Sequence, residues 1–353
     1  MTSTVCPAPT DLRRRVWQGD RVRYVIIGAG AVGGTIGGLL AEAGRDVVLV
    51  ARGAHLDALR SGGLHLTTPA GARTVRTAVA SRPEDVELRR GDVLVLAVKS
   101  QDTDATLAGW AGRPVDGGGT AGEDLLLVCA QNGVDNERTA LRRFARVAGM
   151  CVWLPATFLE PGRVSASGSP VTGVLTLGSV PAGVPDADLA EVSRDLEAAG
   201  FRAPVVEDVA AWKYAKLLSN LGNAVEALCG PVRGPARELA DAAVAEAREV
   251  LAAAGLAPVD AAEEARAREG FTLVDLPGVD RRGGSTWQSL VRGAGSVEAA
   301  YLNGEIALLG RLHGVPVPVN ATLLRLVEDA AARGEQPGGH DAAEVLASAR
   351  AEG

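Results

Sequence analysis

The sequence predicts an α/β domain built on a parallel sheet, followed by an all-α domain. Two observations carry this. From residue 21 short β-branched runs alternate with helical stretches, as doubly wound parallel sheets require, and near residue 207 that alternation gives way to helical periodicity alone. A third observation fixes the kind of sheet. Residues 24–38 read YVIIGAGAVGGTIGG: Val25, Ile26 and Ile27 lead into Gly28-Ala29-Gly30-Ala31-Val32-Gly33, and Leu39, Leu40 and Ala41 continue as a helix. Strand, glycine turn and helix start together are the context in which GxGxxG indicates a dinucleotide site. Gly28 makes the turn, Gly30 admits a pyrophosphate against the backbone, and Gly33 lets helix and strand pack closely. The free N–H groups at the helix start then hold the phosphates. The amino-terminal domain is therefore expected to be of Rossmann type.

The second strand, residues 46–51, ends at Arg52. An NAD site usually has Asp or Glu there to bond the ribose hydroxyls. A carboxylate would repel a 2′-phosphate, whereas a guanidinium grips it through charge-assisted hydrogen bonds. Arg52 thus points to NADP(H), although a solvated surface arginine would read the same way. Residues 92–98 (DVLVLAV) and 124–130 (DLLLVCA) are nearly pure apolar runs, hence strands buried on both faces. They end at Lys99 and at Gln131-Asn132-Gly133. Ligands lie beyond the carboxyl ends of parallel strands, so Lys99 and Asn132 are expected near the cofactor or are ordinary loop residues. Residues 150–167 and 171–178 read as a strand pair with Pro161-Gly162 turning between them. Residues 186–200 read as an amphipathic helix, and 203–206 as a last strand.

Helical periodicity then covers 208–229, 235–255, 260–270, 285–292, 296–313 and 319–333. The expected organisation is an extension at 1–20, the dinucleotide domain at 21–206, a helical substrate domain at 207–334, and a tail with a weak helix at 335–353. Composition narrows the function. A net charge of −7 with only 3% aromatic residues offers neither a basic stripe nor stacking platforms for nucleic acid. Residues 1–21 lack the apolar core of a signal peptide, and no apolar stretch reaches the about 20 residues of a membrane span. Cys6, Cys129, Cys151 and Cys229 are scattered, without CxxC or a nearby His at ligand spacing. Reduced thiols, no metal site and a cytoplasmic location are the expectation.

Lys216, Asn220 and Asn223 fall at spacings of four and three, which brings their side chains to one helix face. They interrupt a run otherwise suited to a core. Burying an ammonium and two amides is costly unless they are partnered, so a cleft is one explanation and an internal hydrogen-bond network or a solvated face another. A second constellation joins Ser285 (GSTWQ) to Glu298 (VEAAYLNG). By residue type alone, Glu298 is equally well a helix-dipole partner.

GAGAVGG, AVKSQDT, QNGVDNE, KLLSNLGN, STWQSL, VEAAYLNG and HGVPVPVN follow one another over residues 23–333. This ordered set resembles the ketopantoate reductase (2-dehydropantoate 2-reductase) family. The resemblance implies a two-domain architecture like that of 6-phosphogluconate dehydrogenase and NADPH-dependent reduction of 2-dehydropantoate, a step of pantothenate biosynthesis. It implies that Lys216 is the general acid/base and that Glu298 lies near substrate and cofactor. Asn220 and Ser285 match substrate contacts, Lys99 and Asn132 cofactor-proximal residues, and Arg52 the 2′-phosphate arginine. Three positions depart from the pattern. Asn223 follows Asn220 by three residues rather than four, Ala300 stands where an acidic residue is usual, and Arg233 falls near the position of a missing substrate-contacting Asn. These departures leave open a different 2-oxo acid or an imine, and Arg233 suggests a larger or more acidic substrate. A non-catalytic NADP(H)-binding sensor is the remaining alternative. The expected partner is a small 2-oxo acid; a homodimer is compatible with the sequence, which does not set the oligomeric state.

Overall fold

The computed structural model describes residues 22–184, 186–279, 283–293 and 295–352. The amino-terminal extension and Cys6 lie outside them. The chain opens with β1 (Arg23–Ile27), α1 (Ala31–Glu42), β2 (Asp46–Val50) and α2 (Gly53–Gly62). A hairpin, β3 (Leu64–Thr68) and β4 (Gly71–Val75), precedes β5 (Ala78–Ala80). Then come β6 (Leu88–Arg89), β7 (Asp92–Leu96), α3 (Thr103–Ala111), β8 (Val115–Asp116), α4 (Ala121–Asp124), β9 (Leu126–Cys129) and α5 (Asn136–Ala140). The long β10 (Arg146–Trp153) leads through β11 (Ala156–Glu160), β12 (Arg163–Ala166) and β13 (Gly168–Ser169) to β14 (Val174–Val180) and α6 (Ala187–Ala198).

Seven strands form the main sheet in the order β14-β10-β9-β7-β1-β2-β5. All neighbours are parallel except β14, which runs antiparallel to β10. The parallel part has the order of a dinucleotide-binding sheet, with its switch point beside β1. β1 and β7 are buried along their whole length, which is why their sequences carry no polar alternation. Residues 203–206 do not make a regular strand. The segment touches β14 through two isolated parallel bridges, at Arg202 and Val205, since Pro204 between them has no N–H to continue a ladder.

A second sheet, β11-β12-β3-β4, was not expected. The turn at Pro161-Gly162 joins β11 to β12 rather than linking the 150–167 and 171–178 segments. This small sheet covers the face of α1 opposite the main sheet. That explains the helix's composition. A Cβ on Gly37 would lie 2.6 Å from Leu49 of the main sheet, and one on Gly38 2.9 Å from Leu64 of the small one. Small residues let two layers close on one helix.

The remaining chain is helical: α7 (Val209–Asn220), α8 (Gly222–Cys229), α9 (Pro235–Ala253), α10 (Ala261–Ala267), α11 (Ser285–Val291), α12 (Asn303–His313), α13 (Pro318–Arg333) and α14 (Ala342–Glu352). The stretch expected as one helix over 208–229 is two, interrupted at Leu221. The Leu221 carbonyl accepts a hydrogen bond from the Asn303 amide at 3.4 Å, and Gly222 weakens helix propensity at the same point. One two-residue strand, β15 (Thr272–Leu273), breaks the helical pattern and pairs with β13 of the first domain. The tail is not peripheral. Ala342, Val345, Leu346 and Ala349 of α14 belong to the same core as α8, α9 and α13, and the Gly338 and His340 N–H groups bond the last carbonyls of α8, at Ala227 and Leu228.

Candidate active site

The glycine turn has the geometry its sequence requires. Gly28 sits at φ +101°, where a side chain is strained, and a Cβ there would meet Ala97 and Val98 at 2.9 Å. A Cβ on Gly33 would lie 2.1 Å from the Gly28 carbonyl oxygen. Gly30 is different: nothing lies within 4 Å of an added Cβ. Two glycines are thus demanded by the protein's own packing, and the third faces open space at the start of α1, where no side chain caps the helix. Such a start presents N–H donors to an anion, so residues 28–33 fit a pyrophosphate. Arg52, at the N-cap of α2 just beyond the end of β2, is exposed.

Across the crevice stands α7, its start capped by Asp208, whose carboxylate accepts from the Ala211 N–H. Two buried lysines project from it toward the sheet. Lys213 pairs with the buried Glu137 of α5. Lys216 has no carboxylate partner among the described residues; its ammonium donates to Asn132 Oδ1 at 2.8 Å and to the Val152 carbonyl. That carbonyl is reachable because β9 pairs with β10 only as far as Gly149, leaving the end of β10 facing the crevice. Burial is the main cause lowering the Lys216 pKa to about 8, since desolvation disfavours the ammonium. Asn220 lines the same small cleft as Lys216, Asn132 and Cys151.

Glu298, 8% exposed in a 3-10 turn before α12, reaches back to the first domain. It accepts from the Lys99 ammonium and, at 3.1 Å, from the Ser100 N–H. Behind them Ser100, Asn132 and Asn136 form one network: the Asn136 amide donates to the Asn132 carbonyl at 2.9 Å and to Ser100 Oγ at 3.3 Å. Ser100, Asn136 and Glu137 were not singled out in the sequence. Their signal is that AVKSQDT and QNGVDNE place polar residues immediately after buried strands.

Asn223 lies on α8, not on the helix of Lys216. Its Oδ1 is 3.1 Å from where a Cβ on Gly284 would be, beside Ser285 at the start of α11. Glu226, also unforeseen, fixes this junction by accepting the Gly284 N–H at 2.6 Å. Arg233 is not among the residues lining the cleft around Lys216. It is exposed in the loop between α8 and α9, beyond the far end of an eight-residue helix from Asn223, about 12 Å of axis. Its position gives no support to a larger or more acidic pocket.

A dinucleotide cradle on a parallel sheet, facing a buried lysine on a helical domain, is the plan of a two-domain nicotinamide-dependent oxidoreductase. The comparisons with known proteins are more specific. A family model described as ketopantoate reductase PanE/ApbA matches residues 24–182, and its C-terminal counterpart matches 208–331. The 2-dehydropantoate 2-reductase of Archaeoglobus fulgidus is 34% identical over 313 residues, covering 86% of this chain and 96% of that protein. The crystal structure of a PanE/ApbA family ketopantoate reductase from Ralstonia eutropha JMP134 superposes with a TM-score of 0.73 at 29% identity, over 89% of this chain and 99% of the other. D-mandelate dehydrogenase, solved with NADH and anilino(oxo)acetate, shares the fold with a TM-score of 0.72 at 19% identity, over 89% and 99% of the two chains. This chain belongs to the ketopantoate reductase family.

Proposed function

We propose that the protein reduces 2-dehydropantoate to pantoate with NADPH, with Lys216 as proton donor. The observation that carries this reading is the state of Lys216: buried, without a carboxylate partner among the described residues, and hydrogen-bonded to Asn132 at the carboxyl end of β9. The bound cofactor supplies the hydride. The chain's own residues do the rest. An ammonium has three N–H donors; Asn132 and Val152 take two, and the third is available for the substrate's carbonyl oxygen. As negative charge develops on that oxygen, Lys216 stabilises it and then gives up its proton. A depressed pKa makes that transfer easier, because the acid's strength approaches what neutral pH requires. Asn220 is within the same cleft to hold the substrate, and Ser285 with Asn223 offers polar groups at the neighbouring helix start. Glu298 bonds Lys99 and Ser100 across the crevice, so it can hold the substrate end of the site closed over the cofactor.

The cofactor preference rests on Arg52. NADPH is expected to bind more tightly than NADH, and Arg52→Asp to reverse the preference by removing the fork and adding repulsion. Equal wild-type affinities for the two cofactors would contradict this. The substrate reading is tested by following NADPH oxidation with 2-dehydropantoate beside a panel of other 2-oxo acids and imines. A panel member with the higher kcat/KM would move the assignment to that compound while leaving the reaction type.

A further inference from the structure

We propose that His55 is a positioning residue that holds α2, and with it Arg52, in register with the glycine turn that takes the cofactor's pyrophosphate. The inference rests on the dinucleotide reading given above.

His55 lies three residues after Arg52, in the first turn of α2, and both of its ring nitrogens are engaged. Nε2 is 2.7 Å from the Ala29 carbonyl oxygen, inside the glycine turn. Nδ1 accepts the Gly162 N–H at 2.9 Å, from the turn joining β11 and β12. Since a backbone N–H can only donate, Nδ1 must be the unprotonated nitrogen, and Nε2 therefore carries the hydrogen and donates to Ala29. Burial lowers the His55 pKa, which favours this neutral form. The ring packs edge-on against Phe158 of β11, with centroids 4.9 Å apart.

What the brace fixes follows from peptide geometry. The Ala29 N–H donates to the Val50 carbonyl at 3.0 Å, and the Ala29 carbonyl accepts from His55. The second bond orients the peptide plane between Ala29 and Gly30. In a trans peptide the C=O and the following N–H point oppositely, so holding the Ala29 carbonyl toward His55 turns the Gly30 N–H away from it. Gly30 is the position in the turn with open space around it. The other anchor is equally fixed: the Gly162 carbonyl accepts the His65 N–H at 2.8 Å, tying the turn to β3. His55 thus joins the pyrophosphate cradle, the 2′-phosphate helix and the small sheet at one point. A ligand spanning pyrophosphate and 2′-phosphate needs both features at a set separation. One lacking the 2′-phosphate does not.

The test measures Kd for NADPH and NADH by equilibrium binding to the full chain, with kcat for the ketoacid alongside. His55→Ala is expected to raise the NADPH Kd about tenfold, as two lost hydrogen bonds allow, and the NADH Kd by about threefold or less, with kcat within about twofold. In an Arg52→Ala background the same change should move the NADPH Kd by less than about threefold, because the two residues act on one contact. His55→Gln, which keeps a donor and an acceptor, should retain more of the preference and supplies the same ratio if the alanine variant does not fold. Equal weakening of both cofactors, or additive effects with Arg52→Ala, overturns the brace while leaving the NADPH reading intact. A wild-type chain with no NADPH preference overturns both.

Discussion

Two lysines one helical turn apart on α7 are both buried, yet their partners give them different work. Lys213 neutralises Glu137; Lys216 donates to the neutral oxygens of Asn132 and Val152 and lies 5.3 Å from the centre of the Trp153 ring. If Lys216 is the proton donor, Lys216→Ala should lower kcat by about 10²–10⁴-fold, the range for losing a general acid, while NADPH affinity stays near wild type. Lys213→Ala instead leaves a carboxylate buried without its cation, a loss of about 3–5 kcal/mol, visible in urea unfolding. Should the two variants exchange these behaviours, the wrong lysine has been assigned. The pH dependence has a definite sign. The acid form of Lys216 disappears as pH rises through about 8, so the reduction rate should fall there. Stability moves the other way. Below about 8 folded and unfolded chains both hold the proton, and the folded state bears the desolvation cost. Between there and the ordinary value of 10.5 only the unfolded chain keeps the proton, so this group's contribution to stability improves with rising pH. The glycines make a second contrast at this scale. Gly30→Ala should leave the melting temperature nearly unchanged, since open space surrounds it, and should cost cofactor affinity. Gly33→Ala should destabilise the fold itself, because its Cβ would collide with the Gly28 carbonyl.

At the scale of elements, α7 and α8 are set by a network buried among the helices. Asn320 is fully buried in the first turn of α13. Its amide donates to the Ala243 carbonyl and to Glu246, each at 2.8 Å, and its Oδ1 accepts from Asn303 at 3.1 Å. Asn303 in turn reaches the Leu221 carbonyl, where α7 and α8 part. Glu246 also accepts the Val319 and Asn320 N–H groups, satisfying donors that the start of α13 leaves free. Asn320→Leu removes the hub and takes one hydrogen bond from each of its buried partners, Ala243, Glu246 and Asn303, at about 0.5–1.5 kcal/mol apiece. Chemical denaturation should show at least that loss. A variant as stable as wild type would mean that water replaces the amide.

The whole molecule is held across its crevice by polar pairs distant in sequence. Lys99 with Glu298, Asn132 with Lys216, and Glu137 with Lys213 each join a loop or helix at the sheet's carboxyl edge to the helical domain. The β13–β15 pairing adds main-chain bonds between the same halves. The carboxyl-terminal residues complete the helical side. Ending the chain at Arg333 would expose the core face of α14, where Val345 and Leu346 alone are worth about 1.5–3 kcal/mol each, and would free the Ala227 and Leu228 carbonyls. Such a chain should show a lowered melting temperature and faster proteolysis within the helical domain. Unchanged proteolysis would mean that α14 adds nothing to the core.

Local signals in the sequence determined the class of this protein. The β-branched runs, the glycine turn and the loss of alternation near residue 207 are all written within a few residues of the structure they produce, because strand and helix periodicity is a property of neighbours. Lys216, Asn220 and Asn132 could be nominated for the same reason, being polar residues set against apolar runs; Ser285 and Glu298 were nominated by the resemblance of their motifs to the family's. Tertiary structure decided the rest. The small sheet over α1 depends on strands almost 100 residues apart, which carry no mark of their pairing. Lys213 and Lys216 are alike in sequence, and Glu137 separates them from 76 residues away. Arg233 matched a spacing, but it stands exposed in the loop after α8 and is not among the residues lining the cleft around Lys216. The tail's apolar stripe became core only once α9 and α13 stood beside it. His55 has two partners 26 and 107 residues distant. Contacts of that kind arise from packing in three dimensions, and the free energy that fixes them is absent from any local window of the chain.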